Sequence, residues 1–148
     1  MRASEAGLNL IKHYEGYRTK PYRCSAGLWT IGYGHLINDG RVLPPDYNRV
    51  FLKDEIDALL ATDIKRFERG VSRYCPVKLT QNQFDALVSF SFNLGLGVLQ
   101  RSTVRQKINR GDIAGAGKVL LKYNKSSGKV TKGLVLRRND EYALLMST

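Results

Sequence analysis

The chain has 148 residues, enough for one domain of one or two lobes, and its 43% hydrophobic content supports a buried core. A net charge of +11 favours a polyanionic partner, such as nucleic acid, an anionic membrane or an anionic cell-wall polymer. Two cysteines exclude a disulfide scaffold, and no apolar run approaches the roughly 18 residues of a membrane helix. No His or Cys spacing suggests a ligand motif, so we expect neither a metal nor another cofactor.

The first predicted helix begins at Ser4, a plausible N-cap. Leu8, Ile11 and Glu15 follow at spacings that place them on one helix face. Glu15 therefore closes the helix on its apolar side, at the negative end of the helix dipole. Burial and that dipole both disfavour a carboxylate, so we predict that Glu15 can act as an acid near neutral pH. The alternative is an exposed terminal glutamate.

Residues 17–43 change character to a strand-and-turn pattern. Glycines punctuate aromatic and β-branched residues, and Asn38-Asp39-Gly40 is a turn signal. We predict a small antiparallel sheet here, ended by Pro44-Pro45.

A long helix is predicted over residues 52–71, where an apolar stripe recurs at helical spacing. It would be about 30 Å long, enough to connect two lobes. A capping box at Thr80–Gln83 then opens a densely apolar core helix that Gly95 ends.

The remaining elements are shorter. Ser102 or Thr103 begins a helix that ends near Gly111, and Asp112 caps the next. Residues 124–133 are predicted as a polar, basic loop, and residues 134–146 as the last helix. The order of elements predicts an α+β fold of one catalytic domain, with a sheet-containing lobe at about 13–55, a connecting helix at 52–71 and a helical lobe at 72–148 packed with helix 4–14. A cleft is expected where sheet and bundle meet.

Three residues in the first third suggest glycosidic-bond chemistry. Cleavage needs an acid that protonates the leaving oxygen and a group that activates water or stabilises the cationic sugar. Glu15 suits the first task, and Cys24 and Thr30 flank the sheet turn at a spacing of Glu-x8-Cys-x5-Thr.

With this spacing the chain resembles the phage-type lysozymes, the endolysin family grouped as glycoside hydrolase family 24, whose signature is Glu-x8-(Asp or Cys)-x5-Thr. The resemblance extends over nearly the whole chain. It is carried by Ile11-Lys12, Glu15-Gly16, Gly27, residues 30–35 (TIGYGH), Thr80 and Gln83, residues 85–87 (DAL), Ser89-Phe90, Phe92-Asn93, Gly95, Ser102-Thr103, Gly133-Leu134 and Arg137-Arg138.

The resemblance implies a lysozyme-like fold and a muramidase that cuts the β-1,4 bond from N-acetylmuramic acid to N-acetylglucosamine in bacterial peptidoglycan, lysing the host. The family is regarded as inverting, so Glu15 would be the general acid. Cys24 and Thr30 would position or activate the attacking water. Leu36, Phe92 and Asn93 match positions that line the cleft in relatives.

Cys24 departs from the aspartate that many relatives carry. As a thiolate it could act as base or nucleophile, as a neutral thiol it could orient water, or it could be inert. We favour the first two together. A disulfide from Cys24 to Cys75 is not expected, because nothing pairs the two residues in sequence and a chain that is not exported is made in a reducing compartment. Cys75 is expected to be a packed thiol.

Several other residues of the motifs are expected to be structural. Trp29 and Tyr33 are predicted to be core aromatics rather than sugar-stacking residues, and His35 a hydrogen-bonded structural residue. Arg137 and Arg138 could steady Glu15 or bind carboxylates of the wall peptide, and an outer salt bridge is the alternative.

Positive charge concentrates toward the end of the chain. Residues 99–148 hold 11 basic and 3 acidic residues, an excess of +8. A competing, non-enzymatic hypothesis is that this basic third binds an anionic outer-membrane or lipid surface and permeabilises it. No base-reading motif is present, so nucleic acid is not an expected partner. We further expect a monomer without a signal peptide, held in the host cytoplasm until a holin releases it to the cell wall.

Overall fold

The computed structural model describes residues 1–147. The helices are α1 (Glu5–Glu15), α2 (Lys53–Tyr74), α3 (Gln81–Leu94), α4 (Leu96–Arg101), α5 (Thr103–Asn109), α6 (Ile113–Leu120) and α7 (Lys132–Met146). The strands are β1 (Arg18–Arg23), β2 (Trp29–Gly32), β3 (His35–Leu36), β4 (Lys125–Ser126) and β5 (Lys129–Val130), and a 3-10 turn spans Pro45–Tyr47. The predicted α+β class is confirmed.

The chain folds as two compact units. The sheet unit comprises Glu15–Lys65, and the helical unit comprises Met1–Tyr14 with residues 66–147. The division falls inside α2, between Lys65 and Arg66. Within residues 1–147, no helix is both long and apolar enough to cross a membrane.

In the sheet unit, β1, β2 and β3 form an antiparallel sheet in sequence order. Tyr22 pairs with Thr30, and Thr30 pairs in turn with Leu36, so β2 is the central strand. The predicted turn follows β3, where the Gly40 N–H donates to the carbonyl of Ile37 over 2.8 Å and Asn38 and Gly40 take positive φ. Apolar residues of β2, of the segment between β3 and α2, and of α2 itself form the core of this unit: Ile31, Ile37, Phe51, Ile56 and Leu60.

In the helical unit, α3 is the central element. Thr80 Oγ1 accepts from the Gln83 N–H over 3.1 Å and Gln83 Oε1 accepts from the Thr80 N–H over 2.9 Å, which confirms the capping box. Every residue from Phe84 to Ser91 is buried, so the helix is covered on all sides, and α7 packs along it. Gly95 ends α3 with φ of 98°.

The N-terminus is bound to this core. Ser4 donates to Asp85 through both its backbone N–H and its hydroxyl, and Asp85 is fully buried. Ser4 Oγ also accepts from the Gly7 N–H over 3.4 Å, in agreement with its predicted role as N-cap of α1. A buried carboxylate of α3 therefore holds the residue that begins α1.

Three predictions of secondary structure are corrected. The long helix runs to Tyr74 rather than residue 71, and α4, which directly follows Gly95, was not predicted. The predicted loop at 124–133 contains the hairpin β4–β5, whose Ser127-Gly128 turn has positive φ at both positions. That conformation matches the twist of a two-residue hairpin, and serine at the first position hid it.

Candidate active site

The carbonyl group of Leu28 connects two of the three predicted catalytic residues. Cys24 directly follows β1, and its backbone N–H donates to the Leu28 carbonyl oxygen over 2.9 Å. The Thr30 hydroxyl donates to the same oxygen over 2.9 Å. The turn between β1 and β2 thus places Cys24 and Thr30 on one acceptor, with Thr30 buried at 4% exposure and Cys24 half-exposed.

The environment of Cys24 favours its ionised form. Hydrogen bonds from the backbone N–H groups of Leu28 and Ala26, and a smaller contribution from the Thr30 side chain, lower the pKa of the Cys24 thiol below its usual range. Thr30 has one hydroxyl proton, so it serves either the Leu28 carbonyl or the sulfur at any moment. A thiolate at Cys24 would compete for that proton.

Glu15 lies beside the turn that joins β2 to β3. It is the last residue of α1, as predicted, and its side chain is half-buried. A Cβ atom built on Gly34 would lie 3.8 Å from Glu15 Oε1. Gly34 has φ of 81°, so the residue that flanks the carboxylate is also the one that allows the turn.

Tyr22 is a residue of this site that the motif analysis missed. It pairs with Thr30 across the sheet, so the two side chains share a face. Burial raises the pKa of Tyr22, Arg18 opposes the rise, and the negative charges of Cys24 and Glu15 add to it. The phenol therefore lies within the field of both residues. In the sequence, Tyr22 could have been noticed as a candidate because it lies two residues before Cys24.

His35 is hydrogen-bonded as predicted. Its Nδ1 lies 2.8 Å from Asp63 Oδ2, which ties β3 to α2 inside the sheet unit. Tyr33 is buried at 5% exposure and packs against Tyr17 with ring centroids 5.4 Å apart. Trp29 is half-buried under the guanidinium of Arg23, whose central carbon lies 4.5 Å from the ring centroid.

Comparison with known proteins gives the family. The family model "Phage lysozyme" matches residues 12–141. An endolysin of Acyrthosiphon pisum secondary endosymbiont phage 1 is 44% identical over 156 residues, covering 99% of this chain and 99% of that protein. This chain belongs to the phage lysozyme family. Members of the family are glycoside hydrolases.

Two further relatives show how far the likeness extends. The endolysin of Bacillus phage B103 is 45% identical over 99% of this chain, which spans 55% of that protein's length. Among solved structures, the muramidase domain of SpmX from Asticaccaulis excentricus superposes with a TM-score of 0.88 at 32% identity, covering 99% of both chains.

Of the three residues that the sequence analysis expects to contact substrate, Leu36 belongs to the sheet unit, and Phe92 and Asn93 belong to the helical unit. Leu36, in β3 of the sheet unit, is 43% exposed. Phe92 is half-buried in the helical unit, with its ring centroid 5.1 Å from that of Phe67. Asn93 follows on α3, and its Oδ1 accepts a hydrogen bond from Arg138 Nη2 over 2.5 Å.

The alternative of an outer salt bridge for the paired arginines of the lysozyme motif is wrong. Arg137 is 3% exposed and Arg138 is fully buried, and both form ion pairs with the buried Glu141. This burial could not be predicted from the sequence, because arginine is rarely buried. Both guanidinium groups are therefore closed to carboxylates of a wall peptide.

The net charge of the phage lysozyme chain is divided unevenly. The sheet unit holds 7 basic and 7 acidic residues, and the helical unit holds 17 basic and 6 acidic ones. Between Asp112 and Asp140 there is no acidic residue, and five exposed lysines lie in that interval: Lys118, Lys122, Lys125, Lys129 and Lys132.

Proposed function

We propose that this phage lysozyme is an endolysin that hydrolyses the β-1,4 bond between N-acetylmuramic acid and N-acetylglucosamine in bacterial peptidoglycan and thereby lyses the host cell. Glu15 is the general acid. Cys24 and Thr30 position or activate the water. The observation that carries the proposal is the shared hydrogen bonding of Cys24 and Thr30 at the Leu28 carbonyl, together with the lowered pKa of the thiol.

In the proposed step, the glycosidic carbon–oxygen bond breaks while Glu15 gives its proton to the leaving oxygen. A water molecule attacks the anomeric carbon from the opposite face, and the Cys24 thiolate takes the proton that this water loses. The Thr30 hydroxyl holds the water in line. Inverting hydrolysis requires about 6.5–9.5 Å between acid and base, so that the water fits.

Cys24 has two other roles to test against this one. A thiolate could attack the anomeric carbon itself, which would give retention through a covalent intermediate. A neutral thiol could merely orient the water. NMR of the first product anomer separates inversion from retention. Mass spectrometry of the released muropeptides separates hydrolysis from formation of an anhydro sugar.

The principal test is Glu15→Gln, which keeps the size of the side chain but removes its acidic proton. We expect turnover of purified peptidoglycan to fall by a factor of about 10² to 10⁴. Glu5→Gln is the matched control, because Glu5 is an exposed residue of the same helix. Unchanged turnover in Glu15→Gln would overturn the proposal.

We include Leu36, Phe92 and Asn93 as substrate contacts. Their support is the match to the family positions and the partial exposure of all three side chains. Substitution by alanine is expected to raise KM more than it lowers kcat, because these groups bind sugar without touching the scissile bond. A fall in kcat alone would contradict this assignment.

We also propose that the protein remains in the host cytoplasm until a holin opens the membrane, as its likeness to endolysins suggests. Expression in a host without a holin is then expected to leave the culture intact, and co-expression to produce a rapid loss of optical density. Lysis without a holin would show another route to the wall.

A second candidate function is binding to an anionic lipid surface through the basic interval between Asp112 and Asp140. It is favoured by the exposed lysines of that interval and by two exposed apolar side chains, Val130 at 59% and Leu136 at 47%. Vesicles with and without anionic lipid, combined with killing assays of Glu15→Gln, test it. Retained killing without wall digestion would support the membrane function, and no binding to anionic vesicles would exclude it.

A further inference from the structure

A polar cavity of about 310 Å³ lies in the helical unit, between residues of α4, of α5 and the residue that follows α5. This volume is near the lower end of the roughly 300–1,000 Å³ typical of small-ligand sites. The residues that line it carry two positive charges and three amides, and none of them is acidic: Gln100, Arg105, Gln106, Asn109 and Arg110. The cavity shares no lining residue with the candidate active site. Its charge and polarity indicate an anionic ligand that also forms hydrogen bonds.

Arg105 is held in place by the main chain. Its Nε donates to the carbonyl oxygen of Tyr74 over 2.8 Å, and its Nη1 donates to that of Gln100 over 3.1 Å. Its guanidinium carbon lies 5.0 Å from the Tyr74 ring centroid. A guanidinium has five N–H donors, so donors remain on both Nη1 and Nη2 of Arg105. Together they form a fork that fits two oxygens of a carboxylate or a phosphate.

Asn109 and Arg110 add two further binding groups. Asn109 Nδ2 donates to the Tyr74 carbonyl over 2.9 Å, which leaves its Oδ1 as an acceptor. Arg110 is exposed, and its side chain has no hydrogen-bond or ion-pair partner among residues 1–147. Tyr74 is the last residue of α2, so capping of that helix accounts for the contacts of Arg105 and Asn109. It does not account for Arg110.

The acceptor at Asn109 separates two kinds of anion. A phosphodiester offers acceptor oxygens alone, so Asn109 Oδ1 would face no donor in its site. A peptide that ends in a carboxylate offers the charge for the arginines and, beside it, an N–H for that oxygen. The stem peptides of peptidoglycan end in this way. Arg137 and Arg138 are buried and closed to such a carboxylate, whereas Arg110 is exposed.

We propose that this cavity binds the terminal carboxylate of a peptidoglycan stem peptide, with Arg105 and Arg110 on the carboxylate and Asn109 Oδ1 accepting from the adjoining N–H. This inference rests on the proposed function, because the wall is the source of the peptide. It adds a second contact with the wall, made by residues outside the candidate active site. Two linked contacts hold a protein on a polymer more tightly than one.

The first test titrates the protein with acetyl-D-alanyl-D-alanine and follows the N–H signals of Arg105 and Arg110 by NMR. The C-terminal amide of the same peptide lacks the charge, and we expect it to bind about 10-fold more weakly or worse, the value of a hydrogen bond to a charged group. Acetyl-D-alanyl-D-lactate has an ester oxygen in place of the N–H and is expected to bind about 3- to 10-fold more weakly. Equal binding of all three compounds would overturn the inference.

Arg110→Gln is the principal variant, because its side chain supports no other contact among residues 1–147. It should weaken binding of acetyl-D-alanyl-D-alanine about 10-fold. Arg69→Gln is the matched control, since Arg69 is another exposed arginine of the helical unit and its loss changes the net charge equally. It should leave peptide binding unchanged, and thermal unfolding shows whether both variants fold. A similar loss in both variants would assign the effect to net charge and contradict the proposed site.

Inorganic phosphate and intact peptidoglycan complete the test. Phosphate that binds at Arg110 as tightly as acetyl-D-alanyl-D-alanine would show an anion site without peptide recognition, which also overturns the inference. Wall digestion by the unmodified protein would leave the muramidase function standing in that case. Failure to cleave peptidoglycan would overturn the muramidase function itself.

Discussion

The Thr30 hydroxyl donates to the carbonyl oxygen of Leu28 over 2.9 Å, on the same acceptor that the Cys24 backbone N–H uses. The main chain of a turn thus holds the backbone of Cys24 and the hydroxyl of Thr30, the two residues that we propose to handle the water. The bond of Thr30 in the turn and the role that we propose for it in the reaction depend on the same hydroxyl proton.

Thr30→Val removes that proton with little change of shape. The carbonyl of Leu28 keeps its bond from the Cys24 N–H, so we expect a loss of about 1 kcal/mol in the free energy of unfolding. Turnover should fall much further, because the water loses a partner. Thr30→Ser, which keeps the hydroxyl, is the control. Denaturant unfolding and wall digestion measure the two effects, and equal turnover in Thr30→Val and Thr30→Ser would remove Thr30 from the mechanism.

The lowered pKa of Cys24 predicts the direction of the pH dependence. A thiolate forms as pH rises through this pKa, so the thiolate-dependent limb of the turnover profile should rise with pH, with its midpoint below the pKa of an ordinary thiol. The same depression stabilises the fold above the pKa of the unfolded thiol, and that contribution is lost as pH falls through the folded pKa. The rate of iodoacetamide alkylation against pH gives the titration directly.

Cys75 is the internal control for that titration. Burial raises its pKa to about 11, so it should stay unreactive where Cys24 reacts. Cys24→Ser is expected to lower turnover and to remove the pH-dependent rise, and Cys24→Asp is expected to restore turnover at lower pH. Full turnover in Cys24→Ser would leave the thiolate without a role.

Tyr14 precedes Glu15 and donates to Asp140 of α7 through its hydroxyl. Burial raises the pKa of Tyr14 to about 12, and the hydrogen bond to Asp140 adds to the rise. Because the folded pKa is the higher one, the stabilisation is complete below about pH 10, the ordinary value for tyrosine, and is lost as pH rises through the folded pKa. Tyr14→Phe should cost about 1 kcal/mol at neutral pH and lack the alkaline loss. Unfolding measured from pH 7 to 12 checks both. An equal alkaline loss in Tyr14→Phe would assign it to other groups.

Gly7 leaves room for the buried carboxylate that binds the N-terminus. A Cβ atom on Gly7 would lie 2.7 Å from Asp85 Cγ, so Gly7→Ala must displace Asp85 from Ser4. We expect a loss of about 1–3 kcal/mol in the free energy of unfolding. Gly133→Ala, also in a helix but with no atom within 4 Å, should be neutral or slightly stabilising. Similar effects of the two substitutions on thermal unfolding would show that the contact with Asp85 is not the cause.

The elements that the sequence predicted well have local causes. The capping box at Thr80, the cap at Asp112 and the turn at Gly40 each depend on hydrogen bonds within a few residues. The features that the sequence did not predict depend on contacts formed only in the folded chain. The burial of Arg138 needs Glu141 of its own helix and Asn93 of α3, and the place of Tyr22 becomes visible only when β1 pairs with β2. Motif spacing located Cys24 and Thr30, but not the carbonyl that joins them.

Cys24 is half-exposed and its pKa is lowered, so at the position that we propose to handle the water we expect this protein to be sensitive to oxidants. Peroxide should convert Cys24 to its sulfenic acid, and turnover would decline on storage and recover with dithiothreitol until over-oxidation makes the loss permanent. The Cys24→Asp variant is expected to keep its turnover on storage. The sulfur therefore sets the conditions under which the protein has to be purified, stored and assayed.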